Sequence, residues 1–119
     1  MKLMIVDDSA VVKTMIESFL KPLGMEIVGT ASNGLQALKL FEEKKPDIVT
    51  LDITMPELDG LTCLEAMMRR RPDTRVLVIS ALKDHETGIR ALKLGAKSFI
   101  TKPFTADQIR EEFMRVAGM

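Results

Sequence analysis

Apolar and polar positions follow two rhythms along this chain, and the rhythms take turns. Leu3-Met4-Ile5-Val6, Ile48-Val49-Thr50-Leu51, Val76-Leu77-Val78-Ile79 and Ser98-Phe99-Ile100-Thr101 are short runs with few polar interruptions. Such runs, bounded by turn residues, predict strands buried on both faces. Residues 25–30 alternate well enough for a further strand at an edge. Between the runs, apolar residues recur at helical spacing. Val12, Met15, Ile16, Phe19, Leu20 and Leu23 mark one face of a 3.6-residue period, and Pro22 and Gly24 punctuate its end. Asn33-Gly34 opens a second helix with Leu35, Leu38 and Phe41 on its face. Lys44-Lys45-Pro46-Asp47 then breaks the chain before the next strand. Pro56 and Gly60 set a loop over residues 55–60.

Leu61, Leu64, Met67 and Met68 predict a third helix. It closes in Arg69-Arg70-Arg71-Pro72, a solvated end, because cations favour a helix C-terminus. Ile89 and Leu92 mark a fourth helix that Gly95 terminates. Ile109, Phe113 and Val116 mark the fifth. Five strands alternating with five helices predict an α/β fold. Its sheet is doubly wound and mostly parallel, with helices on both faces and right-handed crossovers.

Composition narrows the picture without naming a function. At 119 residues a single domain, 1–119, is expected, large enough to hold a core without staples. Seventeen basic and seventeen acidic side chains cancel, which leaves no electrostatic footprint for nucleic acid or an anionic membrane. No apolar run approaches the roughly 20 residues of a membrane span. The single cysteine, Cys63, suits a reducing cytoplasm and reads as a small core filler. Nine methionines with no Trp or Tyr fit an adaptable core.

The chemistry lies where strands end. Asp7 and Asp8 follow the first run, Asp52 follows the run ending at Leu51, and Lys102 follows Thr101. In a parallel sheet all four emerge at the carboxyl edge, where open α/β sheets place their functional crevice. Three carboxylates at one edge repel each other, and Lys102 neutralises at most one of them. A fold tolerates that for a cation or a chemical task. Magnesium takes oxygen ligands in near-octahedral geometry, with one or two carboxylates completed by water and phosphate. Asp7 and Asp8 supply part of such a shell. Asp52 could bind the same ion and attack a phosphoryl group as a carboxylate nucleophile. Lys102 would counter the charge of that group, and the Ser80 hydroxyl at the next strand end could hydrogen-bond it. Taken singly, each residue reads more simply: an Asp after a strand is usually a turn or cap residue. Only their joint placement at four strand ends points to a site.

The motifs Val6-Asp7-Asp8-Ser9, Leu51-Asp52-Ile53-Thr54-Met55-Pro56, Asp59-Gly60, Val78-Ile79-Ser80-Ala81, Gly95-Ala96, Phe99 and Lys102-Pro103-Phe104 resemble, in order, the receiver domain of two-component response regulators. The resemblance covers essentially the whole chain and is nearest to the short chemotaxis-type regulators. It implies a flavodoxin-like sheet of order 2-1-3-4-5, with Asp52 as phosphoacceptor. It implies magnesium on Asp7, Asp8, Asp52 and the Thr54 backbone carbonyl. Ser80 would track the phosphoryl group, Lys102 would be its cationic partner, and Phe99 would be the aromatic switch. Ala81 would leave room beside Ser80, and the Lys102-Pro103 bond is cis in relatives. The implied partners are a sensor histidine kinase and a downstream protein, such as a flagellar motor or another chemotaxis component. The implied state is a cytoplasmic monomer that could dimerise through the fourth helix, fifth strand and fifth helix on phosphorylation. A stand-alone regulator and a receiver excised from a longer DNA-binding or methylesterase protein both stay open.

Two other classes share part of the pattern. Haloacid-dehalogenase-like phosphatases also use an Asp nucleophile after a strand, but they need a second acid two residues later. That position is Thr54, which cannot act as a general acid near neutral pH. Flavin binding would rest on sheet order alone, and the acidic pair would repel a flavin phosphate.

Overall fold

The side-chain alternation of each strand sorts the core into two layers. In the computed structural model, which describes residues 1–54, 60–81 and 85–119 (the side chain of His85 apart), five parallel strands form one sheet. They are β1 (Lys2–Val6), β2 (Glu26–Ala31), β3 (Ile48–Asp52), β4 (Arg75–Ser80) and β5 (Ser98–Thr101), in the order β2-β1-β3-β4-β5. The helices are α1 (Ala10–Leu20), α2 (Gly34–Lys44), α3 (Gly60–Arg70), α4 (His85–Lys93) and α5 (Ala106–Ala117). A 3-10 turn, Lys21–Leu23, follows α1 and ends at Gly24 in the left-handed region. This is the doubly wound arrangement that the alternating rhythms predict, with the expected strand order. The loop expected from Pro56 falls on residues 55–59, outside the described residues.

Met4, Val6, Val49, Leu51, Val76 and Val78 pack with Phe41 of α2, Leu64 and Met67 of α3, and Ala91 of α4. Leu3, Ile5, Ile48, Leu77 and Ile79 pack with Ile16 and Leu20 of α1 and Ile109 and Phe113 of α5. A period of two carries each strand past its end on a fixed face. Asp7, Asp52 and Lys102 continue the parity of Ile5, Ile48 and Ile100, which belong to the α1–α5 layer. Ser80 and Phe99 have the parity of the α2–α3–α4 layer.

Helix faces depart from the sequence expectation at four positions. Met15 and Leu35 are exposed, as are Ile89 and Leu92. Beside Leu35, Ile89 and Leu92 the buried positions are smaller neighbours: Gly34 and Ala37 in α2, where Phe41 is also buried, and Gly88 and Ala91 in α4. Small residues carry no hydrophobic signal, yet they allow a helix backbone to lie close. Two residues of the arginine run behave as expected, with exposed Arg69 and Arg70 paired to Glu65 and Glu42, whereas Arg71 is half-buried. Cys63 is fully buried and keeps its thiol. Among the described residues no helix is long and apolar enough to cross a membrane.

Candidate functional site

The ends of β1 and β3 are built alike. Asp7 Oδ1 accepts the Ser9 N–H at 2.9 Å, and Asp52 Oδ1 accepts the Thr54 N–H at 2.8 Å. Each aspartate thus closes the turn after its strand with one oxygen, as turn aspartates do. Each has a second oxygen to spare, and Lys102 reaches both: its Nζ lies 2.9 Å from Asp7 Oδ2 and 3.3 Å from Asp52 Oδ2. The turn reading and the site reading therefore hold together, one oxygen for each. Lys102 shares its one charge between two carboxylates, so at most one negative charge of the cluster is neutralised, as the sequence suggested.

Local structure fixes these positions. Ser9 caps α1, its hydroxyl accepting the Val12 N–H at 3.2 Å, so the chain must turn directly after Asp8. On β3, the Thr54 hydroxyl also donates to Asp52 Oδ1, at 2.6 Å. Gly60, opening α3, lies so close to the end of β3 that a β-carbon there would collide with the backbone of Ile53. Only glycine lets α3 start against the end of β3. On β5, the Lys102 N–H donates to the Ser80 carbonyl at 2.7 Å, tying the lysine to β4 before its side chain crosses the edge. The Lys102-Pro103 peptide is cis, as the resemblance implies.

Charge is concentrated here and poorly solvated. Asp7 is 0% exposed and Asp52 1%, whereas Asp8 is exposed. One carboxylate oxygen from each of Asp7, Asp8 and Asp52 falls within 4.8 Å of the others. Burial raises the pKa of Asp7. The Ser9 N–H and the Lys102 ammonium oppose that, the charge of Asp52 adds to it, and the net shift is upward. Burial alone would lower Lys102, but Asp7 and the charge of Asp52 outweigh it and its pKa is raised. Asp7 Oδ2 is buried and, despite the ammonium at 2.9 Å, has no properly directed hydrogen-bond donor. An acceptor-only oxygen in that condition, beside two more carboxylates, suits a hard divalent cation. The residues present therefore fit magnesium.

The remaining expected residues lie around this cluster. Ser80 is buried at the end of β4, and Ala81 is exposed just beyond it. Pro103 is exposed. Phe99 is half-buried one strand away, against α4 rather than against the carboxylates. The sequence reading missed that the Thr54 hydroxyl donates to Asp52. Its signal was present: a hydroxyl residue two places after a strand-end Asp can donate to it twice.

Comparison with known proteins agrees with this geometry. A family model for the response regulator receiver domain matches residues 3–114. The chain is 47% identical to the chemotaxis protein CheY of Listeria monocytogenes over 98% of each chain. It is 45% identical to a protein-glutamate methylesterase/protein-glutamine glutaminase of Archaeoglobus fulgidus, across all of this chain and 36% of that one. In the crystal structure of the CheX-CheY-BeF3-Mg+2 complex from Borrelia burgdorferi, a chain with 36% identity superposes with a TM-score of 0.93. That match covers 98% of this chain and 88% of the other. With its strand-end acids and its lysine placed as described, this chain belongs to the response regulator receiver domain family, among the CheY-like chemotaxis regulators.

Proposed function

We propose that this receiver takes a phosphoryl group onto Asp52 from the phosphohistidine of a sensor histidine kinase and passes the change to a partner protein. One observation carries the reading: buried Asp52 keeps an oxygen directed at Lys102, which also holds Asp7 at the same edge. In the transfer an Asp52 carboxylate oxygen bonds to phosphorus as the phosphorus–nitrogen bond to the imidazole breaks, and the imidazole keeps the electron pair. Lys102 then has a phosphoryl oxygen to pair with, and the Ser80 hydroxyl a second. Asp7, Asp8, Asp52 and the Thr54 carbonyl would hold magnesium, which would supply charge for the phosphoryl oxygens. The Borrelia chain, in a complex that contains Mg and BeF3, supports that choice of ion. The protein's chemistry would be confined to its own phosphorylation and dephosphorylation.

Ser80 and Phe99 share the parity of the layer that holds α4. A movement of Ser80 toward the phosphoryl group would free space on that face for Phe99. The α4–β5–α5 surface would then change, and with it the affinity for a downstream chemotaxis partner. The methylesterase relative supports a second arrangement, in which the same domain controls an enzyme on its own chain; the chemistry at Asp52 is common to both.

Incubation with acetyl phosphate and magnesium should add one phosphate, and Asp52→Ala should add none. Undiminished labelling of that variant would overturn the assignment. Chemical shifts with and without beryllofluoride should spread from the site to α4, β5 and α5. Shifts confined to the strand ends would count against the switch.

A further inference from the structure

Helix α4 rests on the sheet through its smallest side chains. Gly88 and Ala91, one turn apart, are buried, while Ile89 and Leu92 beside them are 49% and 41% exposed. Gly88 lies under the ring of Phe99. A β-carbon at residue 88 would stand 2.5 Å from Phe99 Cζ and 2.7 Å from both Cε atoms. Carbon atoms pack best at about 3.5–4.0 Å, so ring and β-carbon cannot occupy these places together. The three atoms form the far edge of the ring, so the tip of Phe99 is seated directly on the helix backbone. Glycine is the least favoured residue in a helix interior after proline, and here it stands in the middle of a nine-residue helix.

We infer that Gly88 is the seat of the Phe99 ring, and that the missing side chain at 88 sets the balance between the ring's rotamers and hence the resting bias of the switch. The second half rests on the proposed role of Phe99; the seat itself rests on packing alone. A side chain at 88 would act first on the ring, which can turn about χ1, because the helix beside it is anchored in the core by buried Ala91. Phosphorylation at Asp52 and substitution at 88 would bias one two-state element from opposite ends.

The test uses Gly88→Ala in the full chain labelled with fluorophenylalanine. The chain has five phenylalanines, and the loss of one resonance in Phe99→Leu assigns Phe99. In Gly88→Ala the Phe99 resonance should move while those of Phe41 and Phe113 hold still. The rate of Asp52 labelling by acetyl phosphate should change threefold or more. Thermal melts supply a sign test that needs no phosphate. In a Phe99→Ala background, Gly88→Ala should raise Tm by roughly 3–5 °C, because the helix gains propensity with nothing to displace. With Phe99 intact that gain should vanish or reverse. An unmoved Phe99 resonance, or an equal gain in both backgrounds, overturns the seat. A moved resonance with an unchanged labelling rate overturns its role in the switch. Failure of the wild type to label at all would remove the phosphoacceptor reading, with resonance and melts still deciding the seat.

Discussion

At the amino edge of the sheet charged side chains meet backbone dipoles; at the carboxyl edge they meet each other. Asp47 Oδ2 accepts the Lys2 N–H at 2.7 Å, and Lys2 Nζ donates to the Lys44 carbonyl at 3.2 Å. Arg75, opening β4, donates through Nη1 to the carbonyls of Ala117, at 2.6 Å, and Val116, at 3.4 Å. These are the open carbonyls at the end of α5, where a cation is favoured by the helix dipole as well as by hydrogen bonding. Across the sheet Asp7 and Asp52 share one ammonium, and Asp7 Oδ2 lacks a directed donor. The first edge uses charge to close the fold. The second gathers buried charge around one ammonium, and a functional site often costs its scaffold stability.

The largest effect should come from the edge that makes no chemistry. Arg75→Ala leaves two carbonyls at the end of α5 without their charged donor, a loss of about 2 kcal/mol and a fall in Tm on the order of 10 °C. Labelling of Asp52 should be unchanged below that temperature. A melt within a degree or two of wild type would erase the contrast between the edges. Next, magnesium should stabilise the protein by binding only the folded state, by about 1.4 kcal/mol at ten times its Kd. Melts in chelator and in graded magnesium measure this, and Arg75→Ala should show the same increment.

A smaller change should locate the strain. Asp7 binds its proton more readily folded than unfolded, so the folded state holds more protons as pH falls into the carboxylate range. Its contribution to stability is fully present below the unfolded value, near 3.8, and is lost as pH rises through the higher folded value. At neutral pH in chelator, Asp7→Asn should therefore melt roughly 2–5 °C above wild type. The gap should close as pH is lowered toward that window. A gap of opposite sign would mean that the ion pair with Lys102 outweighs the burial of the charge. Phosphate loss tests the same edge kinetically. The Thr54 hydroxyl is committed to Asp52, so the isolated phosphoprotein should hydrolyse slowly, and Thr54→Asn, with an amide able to orient water, should speed loss about threefold. A wild-type half-life of seconds would contradict this. The least change is expected for Asp8→Asn, whose exposed carboxylate should leave the chelator melt almost unmoved while weakening magnesium binding.

The strand order was implied by the family resemblance alone. The alternation of strands and helices and the four charged residues at the carboxyl edge were legible because each follows from a period or from a position after an apolar run. Helix orientation was less so. Leu35, Ile89 and Leu92 dominate any hydrophobic count, yet Gly34, Ala37, Gly88 and Ala91 lie on the buried faces, because close packing selects for lack of bulk and bulk is what a count records. The division of labour between the two oxygens of Asp7 and of Asp52 was hidden for another reason: a residue letter does not say how its lone pairs are shared. The same holds for Arg75, whose partners lie more than 40 residues away.

Cys63 gives the molecule a reporter. It is the chain's one thiol, it is fully buried in α3, and its Sγ lies 3.9 Å from the Gly34 carbonyl of α2. A reagent can reach it only when α2 and α3 part from the sheet. Its rate of modification therefore counts how often that layer opens, in the way amide exchange counts openings elsewhere. Modification followed with and without phosphoryl donor would show whether signalling loosens the whole layer or leaves α2 and α3 shut while only α4 and β5 rearrange.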